Sequence, residues 1–238
     1  MNIYARGLDL SEHNGTVDFT KVKAAGFDFV LIRAGYGSAN KYPEQYDTRF
    51  EEYYMQAKAA GLHVGAYWYS YAKDLSMAED EATSFITALK GKQFDYPVYI
   101  DAEEDNIANL LGKATYTNVI QRVIDKVERA GYWTGLYASL NYLSNKFDMT
   151  KLSKYAVWCA QWNDTCQYEN AGLWQNANNG VVSGISGKVD TDVSFYDYPT
   201  HIKNKGLNGY TKSSDNTPLI KTKLEQIEVL ANEIEKLI

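Results

Sequence analysis

Two acidic residues separated by one position, Asp101 and Glu103, have the types and spacing best suited to proton chemistry in this chain. They follow the apolar run YPVYI, which predicts a β-strand, and alternate residues of a strand project to the same side. Two carboxylates in one space repel each other, so the more buried one should have a raised pKa and hold a proton near neutral pH. The ionised partner can stabilise developing positive charge, although such pairs also occur as caps and solvated groups at strand ends.

Further acidic and aromatic residues follow most of the other apolar runs. If the strands close into a parallel barrel, their carboxyl ends meet at the end where functional side chains usually lie. A cleft lined by acids and aromatic rings suits a polymer of weakly charged sugars, since phosphorylated ligands would require Lys, Arg or helix N-termini. The side chains expected there are Asp9, Arg33, Tyr36, Tyr67, Tyr69, Asp101, Glu103, Tyr137, Gln161, Trp162, Trp174, Gln175, Asp190 and Asp192.

The acidic run DAEED has a rival use as a site for a hard cation. No phosphate-handling motif accompanies it, and strand alternation places Glu104 on the opposite side from Glu103. The three His residues are not clustered, and two Cys residues are too few for a four-ligand zinc site. We therefore expect no metal and no cofactor. Cys159 is expected to be a buried strand residue and Cys166 a loop thiol, and a disulfide between them is left open.

Two basic side chains near the predicted cleft have more than one interpretation. Arg33, at the end of the second strand, can bind the carboxylate of a substrate peptide, orient an acid, or pack against the acidic residues. His13 is a candidate acid or base because histidine side chains can exchange protons in the physiological range, but a position on a surface loop is the more ordinary explanation.

The first two hundred residues alternate between apolar runs typical of strands and amphipathic segments typical of helices. Helices are predicted to end at Gly26 and Gly61, and another is predicted from Tyr116 to Ala130. Eight candidate strands and about five helices indicate a closed α/β barrel whose last part lacks helices. An open doubly wound sheet is the alternative, but no strand precedes a G-x-G-x-x-G motif. The candidate strands are IYARGLDL, FDFVLIRAG, HVGAYWYSYA, YPVYIDAEE, WTGLYAS, KYAVWCAQW, GLWQNA and KVDTDVSF.

The composition changes after the predicted barrel, which we place at residues 1–200. Residues 201–217 are polar and rich in Gly, Ser and Asn, which predicts a linker. Residues 218–238 predict an amphipathic helical tail with the spacing of a coiled-coil seam. A homo-oligomer formed through this helix, the start of a further module, and a helix that packs back on the barrel all remain open. The seam residues are Ile220, Leu224, Ile227, Ala231, Ile234 and Ile238, and Leu230 and Leu237 widen it.

Charge and composition exclude several classes of partner. The net charge is −6 and the sequence pI is near 5.2, so the chain is poorly suited to nucleic acid or to anionic lipid. No apolar run approaches transmembrane length, and the first residues lack the apolar core of a signal peptide. We therefore expect synthesis in the cytoplasm and no insertion into the membrane. The 20 Tyr and 5 Trp residues suit surfaces that stack on sugar rings, as well as ordinary barrel walls.

The order of these motifs resembles glycoside hydrolase family 25, the lysozymes or muramidases of phage endolysins, bacterial autolysins and some fungi. The resemblance covers roughly residues 4–196. It rests on the segments GLDLSEHNG, VKAAGFDFVLIRAGYG, AKAAGLHVGAYWYSYA, YPVYIDAEED, GYWTGLYAS and LWQNANNGVVSGISGKVDTDVSF.

The resemblance implies an irregular TIM-like β/α barrel that cleaves the β-1,4 bond between N-acetylmuramic acid and N-acetylglucosamine in bacterial peptidoglycan. Glu103 would be the general acid, and Asp101 would stabilise the transition state or orient the substrate N-acetyl group. Asp9 and Asp190 would complete a cluster of acids. The expected substrate contacts are Tyr67, Tyr69, Tyr137, Trp162 and Trp174, together with Arg33 and Tyr36.

The chain departs from the family pattern at three positions. Asn14 stands where Gln is frequent, Gln161 where an aromatic residue is common, and Asp192 where Asn is common. These departures remove no candidate acid but leave the preferred type of peptidoglycan open. Retaining, inverting and substrate-assisted mechanisms are all compatible with strand geometry.

Two other functions compete with cell-wall lysis by a muramidase. One is a non-catalytic module that binds the wall or another amino-sugar polymer, and the other is a hydrolase of a different amino-sugar linkage. A muramidase made in the cytoplasm would act at the cell wall after its release.

Overall fold

A computed structural model describes residues 2–212, 223–228, 230 and 234. Eight strands close into a barrel in chain order, which confirms the predicted fold class. The strands are β1 (Ala5–Leu10), β2 (Phe29–Tyr36), β3 (His63–Tyr69), β4 (Val98–Asp101), β5 (Thr134–Ser139), β6 (Ala156–Ala160), β7 (Leu173–Gly180) and β8 (Val189–Ser194). The helices are α1 (Phe19–Ala24), α2 (Phe50–Ala59), α3 (Leu75–Leu89), α4 (Asp105–Arg129), α5 (Leu140–Asn145), α6 (Met149–Leu152) and α7 (Tyr198–Lys205).

The last strand runs against the others. Strands β1 to β7 are parallel, whereas β8 is antiparallel to both β7 and β1. The prediction of parallel strands was therefore wrong for β8. The connection that precedes it, residues 181–188, contains no helix and is too short for the crossover that a parallel strand requires. Because β8 is reversed, its first residues lie beside the carboxyl ends of the other strands.

Large side chains fill the part of the barrel interior that lies away from the carboxyl ends of β1 to β7. Glycines on the neighbouring strands make room for them. A Cβ atom at Gly7 would lie 2.2 Å from the Phe29 ring, and one at Gly135 would lie 2.5 Å from the Tyr99 ring. The interior cluster includes Phe29, Leu31, Tyr67, Tyr96, Tyr99, Tyr137, Trp158 and Leu173. These residues form an apolar floor beneath the polar carboxyl end.

The helices follow the predicted pattern with two differences. Gly26 and Gly61 have φ of 87° and 76°, which suits the ends of α1 and α2. The helix predicted from residue 116 begins earlier, at Asp105, and is interrupted at Gly112, where φ is 70° and ψ is 164°. Residues 105–111 are thus a separate helical segment on the rim of the barrel. Three short helices, α5, α6 and α7, were not predicted.

The barrel domain extends past residue 200, where a linker was predicted. Helix α7 covers residues 198–205, and Asn208 is fully buried. The Asn208 side chain accepts a hydrogen bond from the Trp133 backbone N–H (2.6 Å) and donates one to the Tyr96 carbonyl oxygen (2.8 Å). The chain as far as Tyr210 therefore packs on the barrel, because Asn208 is buried and hydrogen-bonded and the Tyr210 hydroxyl donates to Asp95 Oδ1 (2.7 Å).

Part of the predicted C-terminal tail lies within the described residues. Residues 223–228 are helical, and the side chains of Leu224, Ile227, Leu230 and Ile234 are exposed. The other predicted seam residues, Ile220, Ala231, Leu237 and Ile238, lie outside the described residues, as does the predicted linker from residue 213. The roles proposed for this tail therefore stay predictions.

The two cysteines occupy the expected environments. Cys159 is buried on β6 and Cys166 is half-buried in the following loop, and both are free thiols.

Candidate active site

Five carboxylates meet at the carboxyl end of the barrel. Asp9 on β1 pairs with Asp190 on β8, and Asp101 is the last residue of β4. Glu103 lies two residues beyond β4, and Asp192 follows Asp190 on the same face of β8. Asp9, Asp101 and Asp192 are buried, whereas Glu103 and Asp190 are half-buried. The structure thus brings together the four acids predicted as catalytic and Asp192, which was expected at this end of the barrel without a catalytic role.

Gln175 on β7 connects two of these acids to two aromatic side chains. Its Nε2 donates hydrogen bonds to Asp9 Oδ2 (2.8 Å) and to Asp190 Oδ2 (3.4 Å). Its Oε1 accepts from the Tyr137 hydroxyl (3.0 Å) and from Trp162 Nε1 (3.1 Å). Gln175 was expected at this end of the barrel but was given no role, because nothing local to β7 shows that its amide is shared by four partners.

Burial raises the pKa of every acid in the cluster, and repulsion from neighbouring acids adds to this rise for all but Asp190. Burial, followed by repulsion from Asp190, raises the pKa of Asp9 to about 8. Burial and repulsion from Glu103 and Asp9 hold the pKa of Asp101 well above its usual range. Burial and then Asp190 and Asp105 raise the pKa of Glu103, whereas burial raises that of Asp190. The cluster therefore retains protons near neutral pH.

Asp192 is the acid that the sequence did not single out as catalytic. Its Oδ1 accepts a hydrogen bond from Trp158 Nε1 (2.8 Å), and its Oδ2 has no hydrogen-bond partner among the described residues. Burial, followed by repulsion from Asp9, holds its pKa well above the usual range. Asp101 Oδ1 is also buried without a partner in the described part of the chain. Two orphaned carboxyl oxygens thus lie in the same acidic site.

Tyr142 on α5 positions the loop that carries Glu103. Its hydroxyl lies 2.9 Å from the Glu103 carbonyl oxygen and 2.6 Å from Asp105 Oδ1. The ring is buried, and Ser139 caps the helix that carries it by accepting a hydrogen bond from the Tyr142 N–H. This support keeps the Glu103 backbone in place although the residue lies outside a strand.

Arg33 is held by acids outside the cluster. Its Nε donates to Asp47 Oδ2 (2.8 Å), and one terminal nitrogen donates to Glu12 Oε1 (3.0 Å). The same nitrogen lies 3.5 Å from His13 Nε2, which places that imidazole beside Arg33 and on the surface. The positive charge of Arg33 still opposes the rise in the pKa of Asp101. Because two carboxylates already bind the guanidinium, the structure favours an orienting role for Arg33 over contact with a substrate carboxylate.

A group of three tyrosines and a single tryptophan flank the acids on two sides. Tyr69 donates to Glu104 Oε2 (3.4 Å), and its ring packs against Tyr71 at a centroid distance of 4.9 Å. The Tyr36 ring lies 6.1 Å from that of Tyr71, so these three rings form one wall above β2 and β3. Across the barrel, after β6, the Trp162 side chain is 60% exposed and forms the other wall. Tyr71 belongs to this site although it was not predicted.

Tyr67 and Tyr137 lie deeper than the two walls. Their rings pack against Trp158 at centroid distances of 5.8 Å and 4.3 Å, inside the barrel. Both hydroxyl-bearing rings lie within the field of the acids, since Asp9 and Asp101 contribute to the raised pKa of each. They form the floor of the cleft.

Trp174 is not brought to the acids. It alternates with Leu173 and Gln175, which face the interior, so its indole lies on the outer side of β7. There it donates to the Gln161 carbonyl oxygen (2.7 Å) and stacks on Phe195 at 6.3 Å. The expected sugar contact at Trp174 is therefore corrected to a packing role.

Within residues 2–212 and the described residues of the tail, no group of three or more His, Cys, Asp or Glu side chains could hold a metal ion.

A cluster of carboxylates with raised pKa values, flanked by aromatic rings at the carboxyl end of a β/α barrel, is an arrangement typical of glycoside hydrolases. Residues 8–185 match the family model described as Glycosyl hydrolases family 25. This match covers most of the chain, and the chain belongs to that family.

Individual relatives agree with this assignment. The chain is 27% identical over 191 residues to an autolytic lysozyme from Clostridium acetobutylicum, covering 79% of this chain and 55% of that protein. It is 25% identical over 207 residues to Lysozyme M1 from Streptomyces globisporus, covering 78% of this chain and 66% of that protein. The solved structure of the modular autolysin LytC from Streptococcus pneumoniae is 27% identical with a TM-score of 0.71, covering 80% of this chain and 46% of that one. The chain thus spans about half to two thirds of the length of these relatives.

Proposed function

We propose that this protein is a muramidase that hydrolyses the β-1,4 bond between N-acetylmuramic acid and N-acetylglucosamine in peptidoglycan. The observation that carries the proposal is the cluster of five carboxylates with raised pKa values below two aromatic walls. Membership of family 25 supports it, as do two relatives that are named lysozymes. The related pneumococcal autolysin has been solved in complex with a synthetic peptidoglycan ligand.

Glu103 is the proposed general acid. It is half-buried at the edge of the cluster, so a glycosidic oxygen in the cleft can reach it, and its raised pKa keeps a proton available. As the bond from the sugar C1 to the leaving oxygen breaks, Glu103 gives its proton to that oxygen. Water then adds to C1, and its proton returns to Glu103.

The other acids are proposed to stabilise the charge of the transition state or to orient the substrate. Asp190 is half-buried, and its charge raises the pKa values of Asp9 and Glu103, so it is the proposed anion that stabilises positive charge at C1. Asp101 is buried with one oxygen unpaired among the described residues, which suits a hydrogen bond to the substrate N-acetyl group. Asp9 and Asp192 lie deeper and maintain the raised proton affinity of the cluster.

The test is to identify the new reducing end. Purified peptidoglycan is treated with the protein, the products are reduced with borohydride, and the fragments are analysed by mass spectrometry. Reduced N-acetylmuramic acid at the new end supports the proposal. Reduced N-acetylglucosamine would indicate a different amino-sugar linkage, and sedimentation with the wall without new reducing ends would indicate a binding module.

The proposed place of action is the bacterial cell wall, because peptidoglycan is located there. Among the helices in the described residues, none combines the length and apolar character needed to span a bilayer. Synthesis in the cytoplasm followed by release, and association of copies through residues 218–238, remain parts of the proposal.

A further inference from the structure

A second cavity of about 390 Å³ opens beside the acid cluster, between the start of α3 and the start of α4. Resting on the proposed function, we propose that this cavity binds the stem peptide that branches from the glycan strand. Lys73 would bind a peptide carboxylate, and the apolar lining would contact alanine methyl groups. The lining residues are Tyr71, Lys73, Met77, Glu104, Asn106, Ile107 and Leu110.

The cavity borders one aromatic wall of the candidate active site. Glu104 lines the cavity and directly follows Glu103 in the chain. Tyr69, in the aromatic wall of the cleft, donates to Glu104 Oε2 (3.4 Å) and packs against Tyr71. The loops that carry Lys73 and Glu104 follow the carboxyl ends of β3 and β4, the same end of the barrel as the acids. A branch from a glycan strand in the cleft therefore has direct access to the cavity.

The charges on the cavity wall suit a peptide, which brings both a carboxylate for Lys73 and N–H donors for Glu104. Lys73 is exposed and forms no ion pair with any residue that the structure describes, whereas the Arg33 guanidinium is occupied by Asp47 and Glu12. Lys73 is thus the cation available to a peptide carboxylate. The carboxylate of Glu104 already accepts from Tyr69 and from Asn106 (3.2 Å), and it can also accept a peptide N–H.

Apolar side chains are concentrated around the same opening. Leu110 is 73% exposed, and Tyr71, which also lines the cavity, is exposed as well. Met77 and Ile107 form the more buried part of the lining. Exposed apolar groups that gather at one opening indicate a binding surface, and methyl groups of a short peptide would cover them.

A buried acid holds one wall of the cavity in place before a ligand binds, and a break in α4 lies next to the other wall. Glu81 is fully buried on α3 and accepts hydrogen bonds from the Ser70 hydroxyl (2.6 Å) and the Tyr71 backbone N–H (2.9 Å). These bonds fix the loop that leads to Lys73. The break at Gly112 separates residues 105–111 from the rest of α4, so that Leu110 lies at the rim.

The experiment compares two soluble substrates that differ only in the peptide. Uncrosslinked glycan strands that carry tetrapeptides are compared with the same strands after an N-acetylmuramoyl-L-alanine amidase has removed the peptides. The kcat/KM for new reducing ends is measured on both for the wild type, Lys73→Met and Leu110→Asn. Lys90→Met is the matched control, because Lys90 is exposed at the opposite end of α3 and its replacement removes the same charge.

The wild type should prefer the peptide-bearing strands. Loss of one exposed charge contact should lower the ratio of the two kcat/KM values about three- to fivefold in Lys73→Met. This effect should shrink at high salt, whereas a similar loss in Leu110→Asn should not. Lys90→Met should keep the wild-type ratio.

Three results would overturn the inference. They are a wild type without preference, variants that keep the wild-type ratio, and variants that lose activity equally on both strands. A wild type that releases no reducing ends from either substrate would instead refute the muramidase function on which the inference rests.

Discussion

The two ends of the barrel bury carboxylates in opposite electrostatic settings. At the carboxyl end, Asp9, Asp101 and Asp192 are buried beside other acids, and their pKa values rise. At the amino end, burial would raise the pKa of Asp95, but hydrogen bonds from His63, Lys58 and Tyr210 outweigh it and lower that pKa below the usual range. Buried aspartates thus keep their protons near neutral pH at the carboxyl end, whereas the buried aspartate at the amino end is ionised and holds cationic side chains.

At the amino end, the buried Asp95 binds side chains from the last segment of the barrel domain. Asp95 accepts from Lys58 Nζ (2.8 Å) and from the Tyr210 hydroxyl (2.7 Å), and Lys203 Nζ lies 3.2 Å away. These contacts attach α7 and residues 206–212 to the barrel. The acid cluster makes no equivalent contribution, because crowded carboxylates are retained for chemistry at a cost in stability.

The largest expected effect concerns activity at the carboxyl end. Glu103→Gln removes the proposed proton donor with little change in shape, so hydrolysis of purified walls should fall about 10²–10⁴-fold. Release of reducing ends measures the loss, and the temperature of unfolding should not decrease. Glu104→Gln, a matched change at the adjacent residue, should lose far less activity, and equal losses in the two variants would contradict the assignment.

The opposite effect is expected at the amino end. Asp95→Asn leaves Lys58 and Lys203 without their shared anion and should lower the free energy of unfolding by about 3 kcal/mol. Activity per folded molecule should stay at the wild-type level, because Asp95 lies away from the acid cluster. Urea denaturation and wall hydrolysis at low temperature measure the two quantities. An Asp95→Asn variant that is as stable as the wild type but inactive would contradict the assignment of stability to the amino end and of activity to the carboxyl end.

The acid cluster should make the free energy of unfolding depend on pH. The pKa of Asp9 rises from an ordinary value of 3.8 to about 8, so the folded state binds more protons than the unfolded state between these values. The free energy of unfolding should therefore fall as the pH rises from 5 to 8, by about 1 kcal/mol or more. Asp9→Asn should flatten this decline in urea denaturation series, whereas Asp95→Asn should not. A wild type that gains stability over this range would contradict the raised pKa.

The smallest expected effect locates the end of the barrel domain. A chain that ends at residue 212 keeps Asn208 and Tyr210 and should match the full chain in unfolding temperature. A chain that ends at residue 205 loses both anchors and should unfold at a lower temperature. Light scattering on the chain ending at 212 also tests association, because the proposed homo-oligomer requires the removed tail and a retained oligomer would exclude that role.

Much of the fold and part of the site were predictable from local sequence. Apolar runs and the glycines that follow them predicted the strands and the ends of α1 and α2, since these features depend on neighbouring residues. The spacing of Asp101 and Glu103 predicted a shared face for the same reason. Trp174 and the direction of β8 were misjudged, because the direction of a strand and the face that it turns to the barrel interior depend on how the strands pair and close.

The sequence by itself thus determined the barrel class, the family and the residues of the acid cluster. Only the tertiary structure decided how these residues act together. Gln175 and Asp9 are 166 positions apart, and Tyr210 and Asp95 are 115 positions apart, so no local pattern links either pair. The pKa of a carboxyl depends on its burial and on the charges around it, and both arise only when distant segments pack. For that reason aspartates that the sequence does not distinguish are protonated at one end of the barrel and ionised at the other.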